Sequence, residues 1–222
     1  MLSILLQAIV LASGGILSVG SITIVILFLL SERGRKVGVG YAAGYTLAYT
    51  LIGISVVMLG YRASAQRGGE PNRFLPILFI CLGLLLLYLT LRNWRKGPQE
   101  INAPPRIFQF FDKFNTIKAF GLGLAISVIN FKNLAIFLSA ISVVLVSTLL
   151  ISQKILITLV VVFVFCTSVL VPVAIALIFP QQAEERLGWI KSRIDTHRYQ
   201  IGIWLPLIFG VLFILRGIRS LM

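Results

Sequence analysis

The tetrad Asn130-Phe131-Lys132-Asn133 interrupts a run over 119–151 that is otherwise built from apolar and small residues. A lysine at the centre of a bilayer costs on the order of 3 kcal/mol. With two asparagines beside it, up to three strongly polar side chains fall near one depth. Lipid tolerates such a group only if it is shielded, paired or used. An ammonium with neutral amides and no carboxylate suits an anion, so Asn130, Lys132 and Asn133 are candidate substrate-binding residues.

Two geometries fit the tetrad. In one, the span starts at 131, Lys132 snorkels to the surface and 118–130 lies flat. In the other, a helix breaks inside the membrane, and the resuming helix points its positive end and Lys132 into a cavity. The stretch 119–129 lacks the polar face that a flat helix needs. The first apolar run holds matching break signals, Ser13-Gly14-Gly15 and Ser18-Val19-Gly20-Ser21. Ser18 and Ser21 therefore join the candidate site as hydroxyl donors. Glu32-Arg33-Gly34-Arg35-Lys36 follows that run; it serves either as a topogenic turn or as a cytoplasmic mouth where Glu32, Arg33, Arg35 and Lys36 meet a headgroup.

The elements that must position these groups follow from composition. Of 222 residues, 58% are hydrophobic and 12% charged, with mean hydropathy +0.99. Soluble domains are about half apolar and a quarter charged, so an all-α polytopic membrane protein is expected, with no separate soluble domain. Six runs have the roughly 20 apolar residues that a span requires: 3–30, 37–60, 74–94, 118–150, 154–179 and 199–218. They form one transmembrane domain over 1–222, read as two inverted triplets in halves 1–94 and 118–222. An amphipathic cytoplasmic connection, 95–117, joins them. The first run has no basic leader or cleavage site and reads as a retained span. Interrupted helices at matching positions of two inverted halves mark a midplane site.

The net charge of +13 reflects basic residues flanking the spans, which sets topology and meets anionic headgroups rather than nucleic acid. Arg and Lys are densest in the first, third and fifth connections, which places these in the cytoplasm and both termini outside. Two connections repeat apolar residues at helical spacing, Ile107, Phe110 or Phe111, Phe114 and Ile117, then Ala183, Leu187, Ile190 and Ile194. Both read as helices lying in the headgroup layer. Gly40, Gly44 and Ala48 form a small-residue stripe that lets another helix approach closely. The stripe allows a homodimer or an envelope-assembly partner without demanding either.

No carboxylate falls within a span. That disfavours divalent-cation transport and a buried proton site. Cys81 and Cys166 stand apart without a metal or redox motif, and His197 lies alone in a charged connection. No cofactor, metal site or catalytic residue is expected, and an enzyme is not.

Two segments carry a family resemblance. Ser18-Val-Gly-Ser-Ile with Leu29-Leu-Ser-Glu-Arg-Gly-Arg, and Ala119-Phe-Gly-Leu-Gly-Leu with Asn130-Phe-Lys-Asn-Leu, resemble the two signatures of the GAP (peptidoglycolipid addressing, Sap-like) family of the LysE transporter superfamily. The resemblance implies the LysE-like six-helix plan and a role in moving glycolipids to the cell surface. It also implies Asn130, Lys132 and Asn133 as the substrate-facing group, with Arg33 and Arg35 at the mouth. Val19, Glu32 and Phe131 stand where the family's signatures carry proline. The loss at Phe131 predicts a fourth helix more continuous than in its relatives.

The expected function is export of an anionic, lipid-linked molecule across a bacterial inner (plasma) membrane, with the two halves rocking around a midplane polar site. The alternatives are export of a small amphiphile such as an amino acid, or a non-transporting accessory subunit for envelope assembly.

Overall fold

The computed structural model describes residues 1–31, 34–66, 74–97 and 114–221, and among these every regular element is helical. With no water in the hydrocarbon, apolar runs must satisfy their backbone internally, which favours helix. The chain runs α1 (Leu2–Ala12), a 3-10 turn (Ser13–Gly15), α2 (Val19–Leu29), α3 (Gly34–Gln66) and α4 (Phe74–Lys96). It continues with α5 (Thr116–Ile129), α6 (Phe131–Val146), α7 (Ile151–Ile178) and α8 (Ala183–Leu221).

Three stretches among the described residues are long and apolar enough to cross a bilayer: Gly34–Tyr61, Ile151–Ile178 and Tyr199–Arg219. Two pairs are bent, α1–α2 by 62° and α5–α6 by 73°, which makes five if each pair is one span. α4 stands where the third apolar run, 74–94, lies.

The first and fourth runs therefore break where their polar and small residues fall. The break in the fourth does not need proline. Asn130 leaves helical geometry at φ −78° and ψ 75°, and its side chain accepts the Asn133 N–H at 3.3 Å as the N-cap of α6. An asparagine cap satisfies one of the donors that an interrupted helix leaves open. The fourth run is thus broken without a proline at 131.

Close packing fixes the arrangement. A Cβ on Gly40 would meet the Thr116 carbonyl oxygen at 2.7 Å, and one on Gly44 would run into that of Phe120. Gly123 of α5 faces the Tyr41 carbonyl in return. The small-residue stripe is used inside the chain, against α5. α4 packs along α8, where Gly83 and Gly210 face each other and Asn93 Nδ2 donates to the Gly202 carbonyl at 3.1 Å. Tyr49, Phe137 and Phe165, all fully buried, form an aromatic knot with centroids 4.7–5.2 Å apart. The Phe165 ring rests on Gly15, where no side chain would fit.

One further expectation changes. The amphipathic segment 183–194 is not a separate surface helix; it is the start of α8, continuous with the last span. Nothing between Asp195 and Ile201 breaks a helix. Its apolar face turns into the bundle, with Leu187 fully buried and Ile190 and Ile194 packed on the core. Lys154 sits in the first turn of α7 at 5% exposure. Its Nζ donates to the Leu145 carbonyl at 2.8 Å, above the Tyr61 ring at 5.8 Å. A lysine that caps the last turn of α6 complements that helix's negative end.

Candidate functional site

The two breaks share one backbone geometry. Ser18 has φ −74° and ψ 82° against −78° and 75° at Asn130. At Ser18 the chain makes an inverse γ-turn, with Val19 N–H donating to the Leu17 carbonyl at 2.9 Å. Each break residue then accepts the first bond of the next helix through its own carbonyl, Ser18 from Ile22 and Asn130 from Leu134, both at 3.0 Å.

The breaks also meet. Asn133 Nδ2 donates to Ser18 Oγ and to Tyr45 OH, the latter at 3.2 Å, and Ser18 Oγ donates to Ser21 Oγ at 3.0 Å. All four side chains are essentially inaccessible to solvent. Among the described residues, Tyr41 OH and Asn133 Oδ1, both buried in this nest, have no hydrogen-bond partner. Buried polar atoms are nearly always paired, so these two are places where a water or a ligand's polar group would be held. One turn further along α3, Tyr49 OH donates to the Ser127 carbonyl in the last turn of α5 at 3.3 Å.

The structure thus brings Ser18, Ser21 and Asn133 together. Asn130 stands apart from the nest, its side-chain oxygen committed to the α6 cap. Lys132 lies half-buried between the lipid-facing Phe131, 64% exposed, and the fully buried Asn133. Its ammonium makes no hydrogen bond or ion pair among the described residues. The tyrosines at 41, 45 and 49 belong to the site, and the sequence reading passed over them. Their four-residue spacing in an apolar helix was the available signal, since it aligns three phenol groups on one face.

Arg35 and Lys36 are exposed at the start of α3 and line a cleft of about 1010 Å³. The ends of α2 and α7 and the starts of α3, α5 and α8 close around it through Leu29, Ser31, Asn115, Thr116, Ala176 and Glu184. Three helix N-termini and two cations outweigh two helix C-termini and Glu184, which leaves the mouth net positive and favours an anion. Val37 at its floor is eight residues from Tyr45, about 12 Å along α3. Glu32, Arg33 and most of the 95–117 connection lie outside the described residues. Among the described residues no three His, Cys, Asp or Glu side chains gather to hold a metal ion.

The α6 cap yields a test. Phe131 is the first residue of α6 and faces outward, where a proline's missing N–H costs nothing. The non-helical Asn130 also suits a following proline. Phe131→Pro is therefore expected to fold as well as the parent, within about 1 kcal/mol. A drop of many degrees in the detergent melting temperature would show that Phe131 N–H or its ring holds the break.

No curated protein and no solved structure matches this chain. The family described as Sap, sulfolipid-1-addressing protein, matches residues 8–219, which include both breaks, the tyrosine ladder and the mouth. The chain belongs to the sulfolipid-1-addressing protein family.

Proposed function

We propose that this protein exports an anionic, lipid-linked molecule from the cytoplasmic leaflet of a bacterial plasma membrane by alternating access. The observation that carries the reading is the meeting of two broken helices in one buried polar nest, about 12 Å along α3 from a cleft lined by Arg35 and Lys36. Family membership adds a role in lipid addressing. In this reading α1–α2, α3 and α4 form one triplet and α5–α6, α7 and α8 an inverted second, six spans with both termini outside. The packing of α3 on α7 and of α4 on α8 supports it, because equivalent helices of inverted repeats pair about their shared axis.

The headgroup is drawn to the mouth by Arg35 and Lys36 and by the helix N-termini around the cleft. It moves inward to Lys132, where the ammonium meets the negative charge and the unpaired Asn133 and Tyr41 groups receive its polar remainder. Acyl chains stay in lipid beside Phe131. Two features weigh against the alternatives. An amino acid's ammonium group finds no carboxylate in any span. An accessory subunit would dock through its amphipathic connections, yet the apolar face of 183–194 is already packed against the bundle.

The test is comparative mass spectrometry of inner-membrane and outer-surface lipids in a strain lacking the protein, complemented with wild type or Lys132→Met. One anionic lipid should be retained inside, wild type should release it, and Lys132→Met at equal protein level should release about tenfold less or lower, the effect of one lost charge pair. Equal rescue by both would place the site away from Lys132.

A further inference from the structure

We propose that Phe28, backed by Phe114, is the gate between the mouth and the polar nest. The inference rests on the export reading above and names the rings that a headgroup must displace on its way inward. Three residues that line the cleft have an aromatic neighbour. Phe28 precedes Leu29, Phe114 precedes Asn115, and Tyr41 lies one turn, about 6 Å, beyond Val37. Those three rings meet. The Phe28 centroid is 5.6 Å from that of Tyr41 and 5.3 Å from that of Phe114. Phe28 is fully buried behind the wall of the cleft, and Tyr41 belongs to the nest. The Phe28 ring therefore stands between the two.

Such a barrier suits an anion's path. A charged headgroup passing there gives up water and finds no donor on the rings, whose faces repel negative charge. Two features make this a gate of side chains rather than a parting of helices. A Cβ on Gly34 would meet the Leu29 carbonyl and one on Gly38 the Leu29 side chain, so the end of α2 is seated on the start of α3. The Phe28 carbonyl accepts Ser31 Oγ at 2.7 Å and Ser31 N–H at 3.2 Å, which pins its backbone. The ring is left to turn about its own side-chain bonds once a neighbour yields. Phe114 meets it edge-on, at an interplanar angle of 61°, and is only partly buried, so it is the neighbour with room to move. Passage then requires Phe114 to shift and Phe28 to swing.

Access to Ser21, fully buried in the nest, reads the gate. Ser21→Cys is made in a chain that also carries Cys81→Ser and Cys166→Ala. The probe is an anionic, membrane-impermeant methanethiosulfonate, added to membrane vesicles of both orientations. Labelling scales with the fraction of time the path is open, so Phe28→Ala should quicken it about tenfold or more from the cytoplasmic face. Phe114→Ala and the gentler Phe28→Leu should each quicken it less, and Phe28→Trp should slow it. Phe213→Ala, at a similarly buried ring packed on Phe79 of α4, controls for general loosening and should change nothing. No quickening from either face in Phe28→Ala or Phe28→Leu, or equal quickening by Phe213→Ala, overturns the inference. Quickening from the outer face alone upholds the gate and refutes the topology of the export reading.

Discussion

Gly44→Val is expected to yield little or no folded protein. A Cβ at Gly44 runs into the Phe120 carbonyl oxygen, which is backbone of the crossing helix and cannot swing aside. Relief requires α3 and α5 to separate, which draws Tyr45 away from Asn133 and Tyr49 away from the Ser127 carbonyl. Overpacking against movable side chains costs about 1–3 kcal/mol, occasionally more. Against the backbone of a crossing helix, about 3 kcal/mol or more is expected. Gly121→Val supplies the control, since nothing lies within 4 Å of a Cβ there. Fluorescence-detected size-exclusion chromatography after solubilisation reads the result. Equal monodisperse yields from the two variants would refute the tight α3–α5 seam.

Asn133→Leu comes second in expected effect and strikes the nest itself. Leucine matches asparagine roughly in bulk but removes both donors, leaving Ser18 and Tyr45 without the bond that ties the breaks together. Hydrogen bonds between membrane helices average about 0.6 kcal/mol and reach about 1.7. With two buried partners lost, about 2 kcal/mol is expected, seen as a lower melting temperature in detergent, together with loss of export. Ser18→Ala alone should cost about 1 kcal/mol, and the double variant should cost less than the sum, because both changes remove the same bond. Strict additivity would mean that the two breaks are energetically independent.

Much of this architecture is legible in composition and apolar run length. α7 and the spanning part of α8 fall where the fifth and sixth runs place them. Asn130 and Lys132 announce either a break in the fourth run or a lysine snorkelling from the start of a span, and the missing polar face of 119–129 favours the break. Its survival without proline is not announced, since it depends on an asparagine side chain folding back on its own helix. The continuity of α8 was hidden by charge: Arg186, Lys191 and Asp195 read as a connection in the headgroup layer, although Arg and Lys are good helix formers. Ser18 and Ser21 were readable as partners of the tetrad only through the likeness of the two breaks. The tyrosine ladder was not, because an aromatic in a span ordinarily signals packing. Only the fold shows that Tyr45 turns its hydroxyl to an amide distant in sequence.

The seam between α3 and α5 has a mechanical consequence. α3 belongs to the first half of the chain and α5 to the second, yet glycine at Gly40, Gly44 and Gly123 sets backbone against backbone between them. A hinge opening between residues 1–94 and 118–222 would have to prise that seam apart on every cycle. In the alternating-access cycle proposed above, the pieces that swing would then be mosaics, α3 travelling with α5 and α4 with α8, each stitched from both halves of the chain.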